Sequence, residues 1–331
     1  MSSDAPPGPR GGAVATRLDG RGIAAAVVAN TLWGLLPAFW AAMAPAGPVE
    51  ILAQRIVWTT LIMFGVLTFV HGWGELRGLR ARTWSAIATG ALLITLNWGG
   101  FIVAVQLGWV LDAALGYFVS PLVSVLLGVF VLRERLRPAQ WVAVAVGAVA
   151  VAVVAIENGR IPWIAIVLSV SFGLYGLIKK TVPVGATAGL TAEGIVLGPI
   201  ALTVAVVLVV TGHGTFATHG AGHAALMVAS GFATVAPLLL YGIGARRVPL
   251  TVTGLLMYVN PVLQFLYAVV VAHEDMPAGR WIGFGLVWVA LAVFSVDMLH
   301  TDRRRRATAA SPPRDQRRPR SRAETARLRR S

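Results

Sequence analysis

The sequence predicts an all-α integral membrane protein of ten transmembrane helices, arranged as two inverted five-helix repeats. Three observations carry this: an apolar composition, a regular succession of apolar stretches, and a match of the chain to itself at a fixed offset. Of the 331 residues, 56% are hydrophobic and 13% charged, with a mean hydropathy of +0.74, against roughly 45–50% apolar and 25% charged in soluble domains. Ten stretches of ~20 residues, the length a helix needs to cross the hydrocarbon core, use about 200 residues and leave room for loops and tails. A soluble catalytic domain is thereby excluded. The chain has no cysteine, so disulfides, thiolate zinc sites, iron–sulfur clusters and cysteine nucleophiles are excluded together.

Taken in order, the apolar runs span 22–42, 51–70, 84–105, 112–131, 140–156, 163–178, 194–211, 224–243, 253–272 and 280–299. The first follows Arg17 and Arg21 as a secretion signal would. It is nevertheless too long for a signal's apolar region of about 7–15 residues, and Asn30, Trp33 and Pro37 interrupt it, so it reads as a helix. The connections alternate in charge. One side collects 25 of the 28 basic residues, among them Arg77, Arg80, Arg82, Arg133, Arg135, Arg137, Lys179, Lys180, Arg246 and Arg247, while the other holds only Arg160 and Arg280, and Arg55 lies within a span. Because Lys and Arg accumulate on the cytoplasmic side, both termini are expected in the cytoplasm and the chain in the cytoplasmic membrane.

The net charge of +14 is concentrated in residues 301–331, where twelve arginines face Asp302, Asp315 and Glu324. A segment so poor in apolar residues cannot bury enough surface to offset its ordering entropy, so 301–331 is expected to be a disordered basic cytoplasmic tail touching anionic lipid. No helix–turn–helix or aromatic platform accompanies the charge, which argues against nucleic acid as a partner.

Sliding the chain against itself by about 140 residues sets Val119, Pro121, Glu134 and Trp141 on Val259, Pro261, Glu274 and Trp281, and Phe101 on Tyr241. At an offset of 139, Trp33-Gly34-Leu35 meets Phe172-Gly173-Leu174. The organisation that follows is an N-terminal tail, 1–21; a first repeat, 22–156; a second, inverted repeat, 163–299; and the basic tail. An odd number of helices per half makes the two copies cross in opposite directions, as in inverted-repeat transporters, whose halves rock about a central site. The predicted function is therefore secondary transport of a small organic solute by alternating access, directed outward; a scaffold or channel-like protein of the same fold is the alternative.

The runs Asn30-Thr31-Leu32-Trp33-Gly34-Leu35-Leu36-Pro37, Glu50-Ile51-Leu52-Ala53-Gln54-Arg55-Ile56-Val57-Trp58 and Leu115-Gly116-Tyr117-Phe118-Val119-Ser120-Pro121 resemble the RarD branch of the EamA transporters, within the drug/metabolite transporter superfamily, over about residues 22–300. That resemblance implies ten helices, a central cavity and movement of small metabolites or drugs. At Gln54 the chain departs from the histidine the resemblance leads one to expect.

Charge within hydrocarbon costs roughly 2.5–3.5 kcal/mol on insertion scales, so Arg55 is the first candidate. Either its guanidinium snorkels outward toward Glu50 or Asp112, or it binds an anionic group or gates the outer mouth. Glu193, near the pseudo-symmetric counterpart of Arg55, is an inner-gate candidate or a carboxylate favoured by its helix start. Trp33, Asn97, Tyr117, Tyr241, Tyr258 and Asn260 recur in matching places of the halves and are expected to line the cavity. Pro121 and Pro261 fall inside fourth helices and are hinge candidates. Glu134 and Glu274 are expected on opposite sides of the membrane, which excludes them as a catalytic pair. His213, His219 and His223 are loosely spaced with no carboxylate among them and read as a plain loop, so no metal site is expected. With no phosphate-binding loop or nucleophile motif either, the sequence implies no catalytic residue, no enzyme activity and no cofactor. It does not distinguish a monomer from a homodimer.

Overall fold

The computed structural model describes residues 19–133, 138–157, 159–247 and 256–310. All regular structure among these residues is helical. In chain order the helices are α1 (Gly20–Gly34), α2 (Leu36–Ala41), α3 (Pro48–Phe69), α4 (Ala81–Gln106), α5 (Val110–Leu132), α6 (Pro138–Glu157), α7 (Trp163–Thr181), α8 (Ala186–Val210), α9 (Gly220–Arg247), α10 (Val259–Leu266) and α11 (Ala278–Ala310). A 3-10 turn, Gly72–Leu76, precedes α4, and a π-helical turn, Tyr267–Val271, continues α10. Eight segments are long and apolar enough to cross a membrane, with α1 and α2 counted as one; Trp163–Lys179 and Val259–Val271 are shorter apolar helices.

Several ends follow from local chemistry. Asp19 caps α1 by accepting from the Arg21 amide at 3.0 Å. Pro48 opens α3, where its missing N–H costs nothing. Pro37 withholds the amide that would bond to the Trp33 carbonyl, and the first span breaks at Leu35. Pro121 lies inside α5 as expected. Pro261 does not interrupt a continuous helix: residues 257–258 form a turn, and Pro261 falls in the first turn of α10, where no helical partner is lost. The last helix also departs from expectation. It runs to Ala310, so residues 301–310 are helical rather than disordered. A helix already nucleated within an apolar span adds residues at little cost, and Arg and Ala are strong helix formers. Residues 311–331 lie outside the described residues.

The most extensive helix packing joins the first part of the chain to the second. These contacts are α1 with α9 and α4 with α7; α5 with α7 and α1 with α10; α3 with α9 and α4 with α8; and α3 with α8, α5 with α10, and α6 with α11, while lesser ones, such as α3 with α4, lie within the first part. Under the sequence-predicted correspondence α1 to α7, α3 to α8, α4 to α9, α5 to α10 and α6 to α11, each of these most extensive contacts maps onto another or onto itself. Glycines set the closest approaches, as expected where packing rather than hydrophobicity holds helices together. A β-carbon on Gly116 would lie 2.9 Å from the Ala165 Cα, and one on Gly244 would lie 3.0 Å from the Gly22 carbonyl oxygen.

Connections cluster at two ends. At one, Glu50 accepts from the Thr215 and Phe216 amides, Gln106 Nε2 donates to the Ala46 carbonyl, Arg160 pairs with Asp112, and Glu274 accepts from the Val110 and Leu111 amides. At the other, Glu75 accepts from the Gly185 amide and Asp19 lies 3.9 Å from Arg247.

Candidate substrate site

Arg55 lies seven residues into α3, about 10 Å along the axis at 1.5 Å per residue, on the half of the helix nearer the Glu50 end. Its side chain is 3% exposed, and the guanidinium reaches neither Glu50 nor Asp112. Glu50 is committed to the 211–219 loop, accepting from Thr215 N at 2.7 Å, Thr215 Oγ1 at 2.9 Å and Phe216 N at 2.9 Å. Asp112 accepts from Arg160 Nη2 at 2.9 Å, and Arg160 stacks on Trp109 at 3.9 Å. Arg55 instead donates from Nε to Thr234 Oγ1 at 2.9 Å, its Cζ lying 4.0 Å from the Trp98 ring centroid and 4.9 Å from that of Trp40. Its Nη1 has no hydrogen-bond partner. Snorkelling is thus ruled out in this conformation: the charge is held inside, between two indoles.

The other predicted residues fall into neighbouring groups. Asn97, adjacent to Trp98 on α4, donates from Nδ2 to the Leu168 carbonyl at 2.9 Å and to Ser171 Oγ at 3.2 Å, and accepts the Tyr117 hydroxyl at 3.1 Å. Trp33 packs on Tyr241 with centroids 5.6 Å apart, and the Tyr241 hydroxyl reaches Met257 Sδ at 3.3 Å. Asn260 Oδ1 accepts from Gln264 Nε2 at 2.8 Å, and Tyr258 hydrogen-bonds Ser295. Glu193 stands apart from these. Buried on α8 toward the Glu75 end, it pairs with Lys179 at 2.8 Å and accepts the Tyr175 hydroxyl at 3.2 Å. Between α3, α4 and α8 lies a cavity of about 20 Å³ that Glu193 lines and Arg55 does not. Thr59, Thr60, Trp98, Leu197 and Glu193 line it, and the Thr59 hydroxyl has no partner. Such a volume holds a water molecule.

Trp40, Thr234 and Thr59 were not singled out from sequence. Two of them carried a signal. Thr234 precedes Tyr241 by seven residues and shares its helix face two turns away, and Trp40 follows Trp33 by seven, across the break at Leu35.

Glu274 closes the Glu50 end by capping α5, with Val110 N at 2.5 Å and Leu111 N at 3.0 Å. Burial pushes its carboxyl above the usual range, against the pull of those amides and Arg280. Glu134 lies outside the described residues. The loop histidines form no metal cluster: among the described residues no three His, Cys, Asp or Glu side chains could hold an ion. His223 Nε2 contacts Thr215 Oγ1 at 2.7 Å, and that hydroxyl gives its one proton to Glu50, so the imidazole is the donor.

A bundle of apolar helices around buried polar side chains is the construction of a membrane transporter, and the comparisons agree. The model of the EamA-like transporter family matches residues 20–156. The chain belongs to this family, within its RarD branch. It is 48% identical over 285 residues to Protein RarD of Streptomyces exfoliatus, covering 85% of this chain and 90% of the relative. It is 38% identical over 281 residues to the uncharacterized transporter YojE of Bacillus subtilis (strain 168), covering 83% and 93%, and 34% identical over 286 residues to Protein RarD of Escherichia coli (strain K12), covering 86% and 97%. A solved structure superposes with a TM-score of 0.54 at 20% identity, over 82% of this chain and 96% of that one, a likeness of fold alone.

Proposed function

We propose that the chain is a secondary carrier of ten membrane spans in two inverted five-helix repeats, moving a small organic solute outward across the cytoplasmic membrane by alternating access. The observation that carries this reading is the paired packing of the halves. Gly34 meets Leu263, with a β-carbon there 2.6 Å from the Leu263 Cβ, and its counterpart Gly173 meets Val123 at 3.2 Å, with Leu263 and Val123 themselves 140 residues apart. Two copies that bury the same contacts from opposite directions supply two conformations of similar energy, which alternating access requires. The basic connections favour a cytoplasmic Glu75 end and cytoplasmic termini, with the arginine tail against anionic lipid.

In this reading Arg55, Trp33, Asn97, Tyr117, Tyr241, Tyr258 and Asn260 surround the solute path. Glu193, tied to Lys179, forms the inner gate. Pro121, and the turn ahead of Pro261, are where the fourth helix of each half bends. The test is counterflow: proteoliposomes of the purified protein preloaded with unlabelled solute should accumulate the labelled solute transiently and saturably. Flux that is linear in concentration and lacks counterflow would identify a channel instead.

A further inference from the structure

The charge on Arg55 is unbalanced. Among the described residues no carboxylate lies within ion-pair distance of it, and three acids of the same end, Glu50 and Asp112 buried and Glu274 half-buried, are engaged: Glu50 by Thr215 and Phe216, Asp112 by Arg160, Glu274 by the start of α5. The Thr234 hydroxyl that accepts from Nε passes its own proton to the Ser230 carbonyl at 3.0 Å and offers no negative charge. Indole faces attract a cation but do not neutralise it. Beside the guanidinium sits a second orphan donor. Trp40 is fully buried, and its Nε1–H, like Arg55 Nη1–H, has no acceptor. Two buried N–H donors on neighbouring side chains, one carrying a full charge, thus lack acceptors, and an oxyanion would supply what both lack, because an unmet donor in a low-dielectric interior is costly.

We infer that Arg55 and Trp40 bind the carboxylate of the carried solute, and that this solute is a monocarboxylate with an apolar or aromatic body. The inference rests on the carrier reading given above. A planar carboxylate matches the guanidinium fork. A single charge is required because Arg55 supplies one unbalanced charge, so a dianion would bring an uncompensated charge into the interior. The apolar body is called for by the surroundings: Trp98 stacks on the guanidinium and also lines the neighbouring cavity with Ile56, Ile94 and Leu197. That cavity admits only a water-sized guest, so a solute enters as the halves part.

The test is binding to the purified full chain, read by tryptophan fluorescence and thermal stabilisation, with benzoate, phenylacetate and 3-phenylpropionate, their amides, and sodium chloride as probes. At least one carboxylate should bind saturably, with its amide at least tenfold weaker. Arg55→Gln should abolish that preference, Arg55→Lys should retain part of it, and Trp40→Phe, which keeps a ring but removes the N–H, should weaken the carboxylate several-fold and leave the amide unchanged. Equal binding of acid and amide, binding of chloride alone, no binding of any carboxylate, or full affinity in Trp40→Phe and Arg55→Lys would overturn the assignment. The two readings fail separately. Counterflow of a neutral solute without carboxylate binding refutes this site and leaves the carrier. Carboxylate binding without counterflow of that carboxylate refutes the carrier and leaves the site.

Discussion

Arg55 and Glu193 each lie seven residues from the start of a helix, α3 or α8, which the proposed repeat pairs, and they carry opposite charges. Both are buried, at 3% and 4% exposure. Their surroundings differ. Glu193 has an ammonium at 2.8 Å and a phenol at 3.2 Å, with Lys179 partly open to the outside, so its charge is compensated within the protein. Arg55 has one neutral hydroxyl and two indole faces. A buried charge that keeps its partner holds two helices together, here α7 and α8. A buried charge without one is poised for something that arrives from outside. Under the proposed repeat, the two residues therefore match in position and not in role.

The largest effect should come from Arg55→Gln. Transport is expected to fall about 100-fold, equivalent to roughly 2.7 kcal/mol, while the melting temperature holds or rises, since an uncompensated buried charge is removed. Arg55→Lys should keep a fraction of the activity. A melting temperature that collapses in both variants would make Arg55 a structural residue like Glu193 and erase the contrast.

Glu193→Gln should do the reverse. It leaves Lys179 without its carboxylate and should cost about 1–3 kcal/mol of stability, measurable as a lower melting temperature. Combining it with Lys179→Met should restore part of the loss. No change in stability would mean that the pair is not a lock.

The two glycines at matched crossings sharpen the comparison of the halves. A β-carbon at Gly34 would lie 2.6 Å from Leu263 Cβ, whereas at Gly173 the nearest atom, Leu127 Cδ1, is 3.1 Å away at the end of a flexible side chain. Gly34→Ala should therefore destabilise by about 1–3 kcal/mol and Gly173→Ala by less than about 1 kcal/mol; the opposite order would show that the crossing of α1 with α10 is the looser one. The smallest effect is expected from deleting residues 311–331, with transport and melting temperature unchanged in vesicles, because Arg303 and Arg304 remain to hold orientation.

Much of this was legible in sequence because the membrane imposes a simple code. Length and apolarity marked the apolar helices, eight of them long enough to cross a membrane, and recurrence at about 140 residues brought forward Asn97 and Tyr117, which do meet. What one span could not reveal was partner choice. Glu50 finds Thr215, 165 positions away, rather than Arg55 five positions along its own helix, because the packing of α3 against α8 and α9 brings that loop over it. Both breaks lie just ahead of a proline, Pro37 for the one at Leu35 and Pro261 for the turn at 257–258. In the last helix, composition alone misjudged 301–310, since a helix already formed needs no apolar face to continue for a few turns.

The central claim, one site presented alternately to the two faces, is tested most directly at Thr59, whose hydroxyl faces no partner in the cavity between Trp98 and Glu193. In this cysteine-free chain, Thr59→Cys can be treated with a membrane-impermeant thiol reagent applied to right-side-out and to inside-out vesicles. The account predicts labelling from both sides, slowed on both by a bound carboxylate in protein with Arg55 and not in Arg55→Gln. Labelling from one side only, or at rates indifferent to the carboxylate, would contradict it.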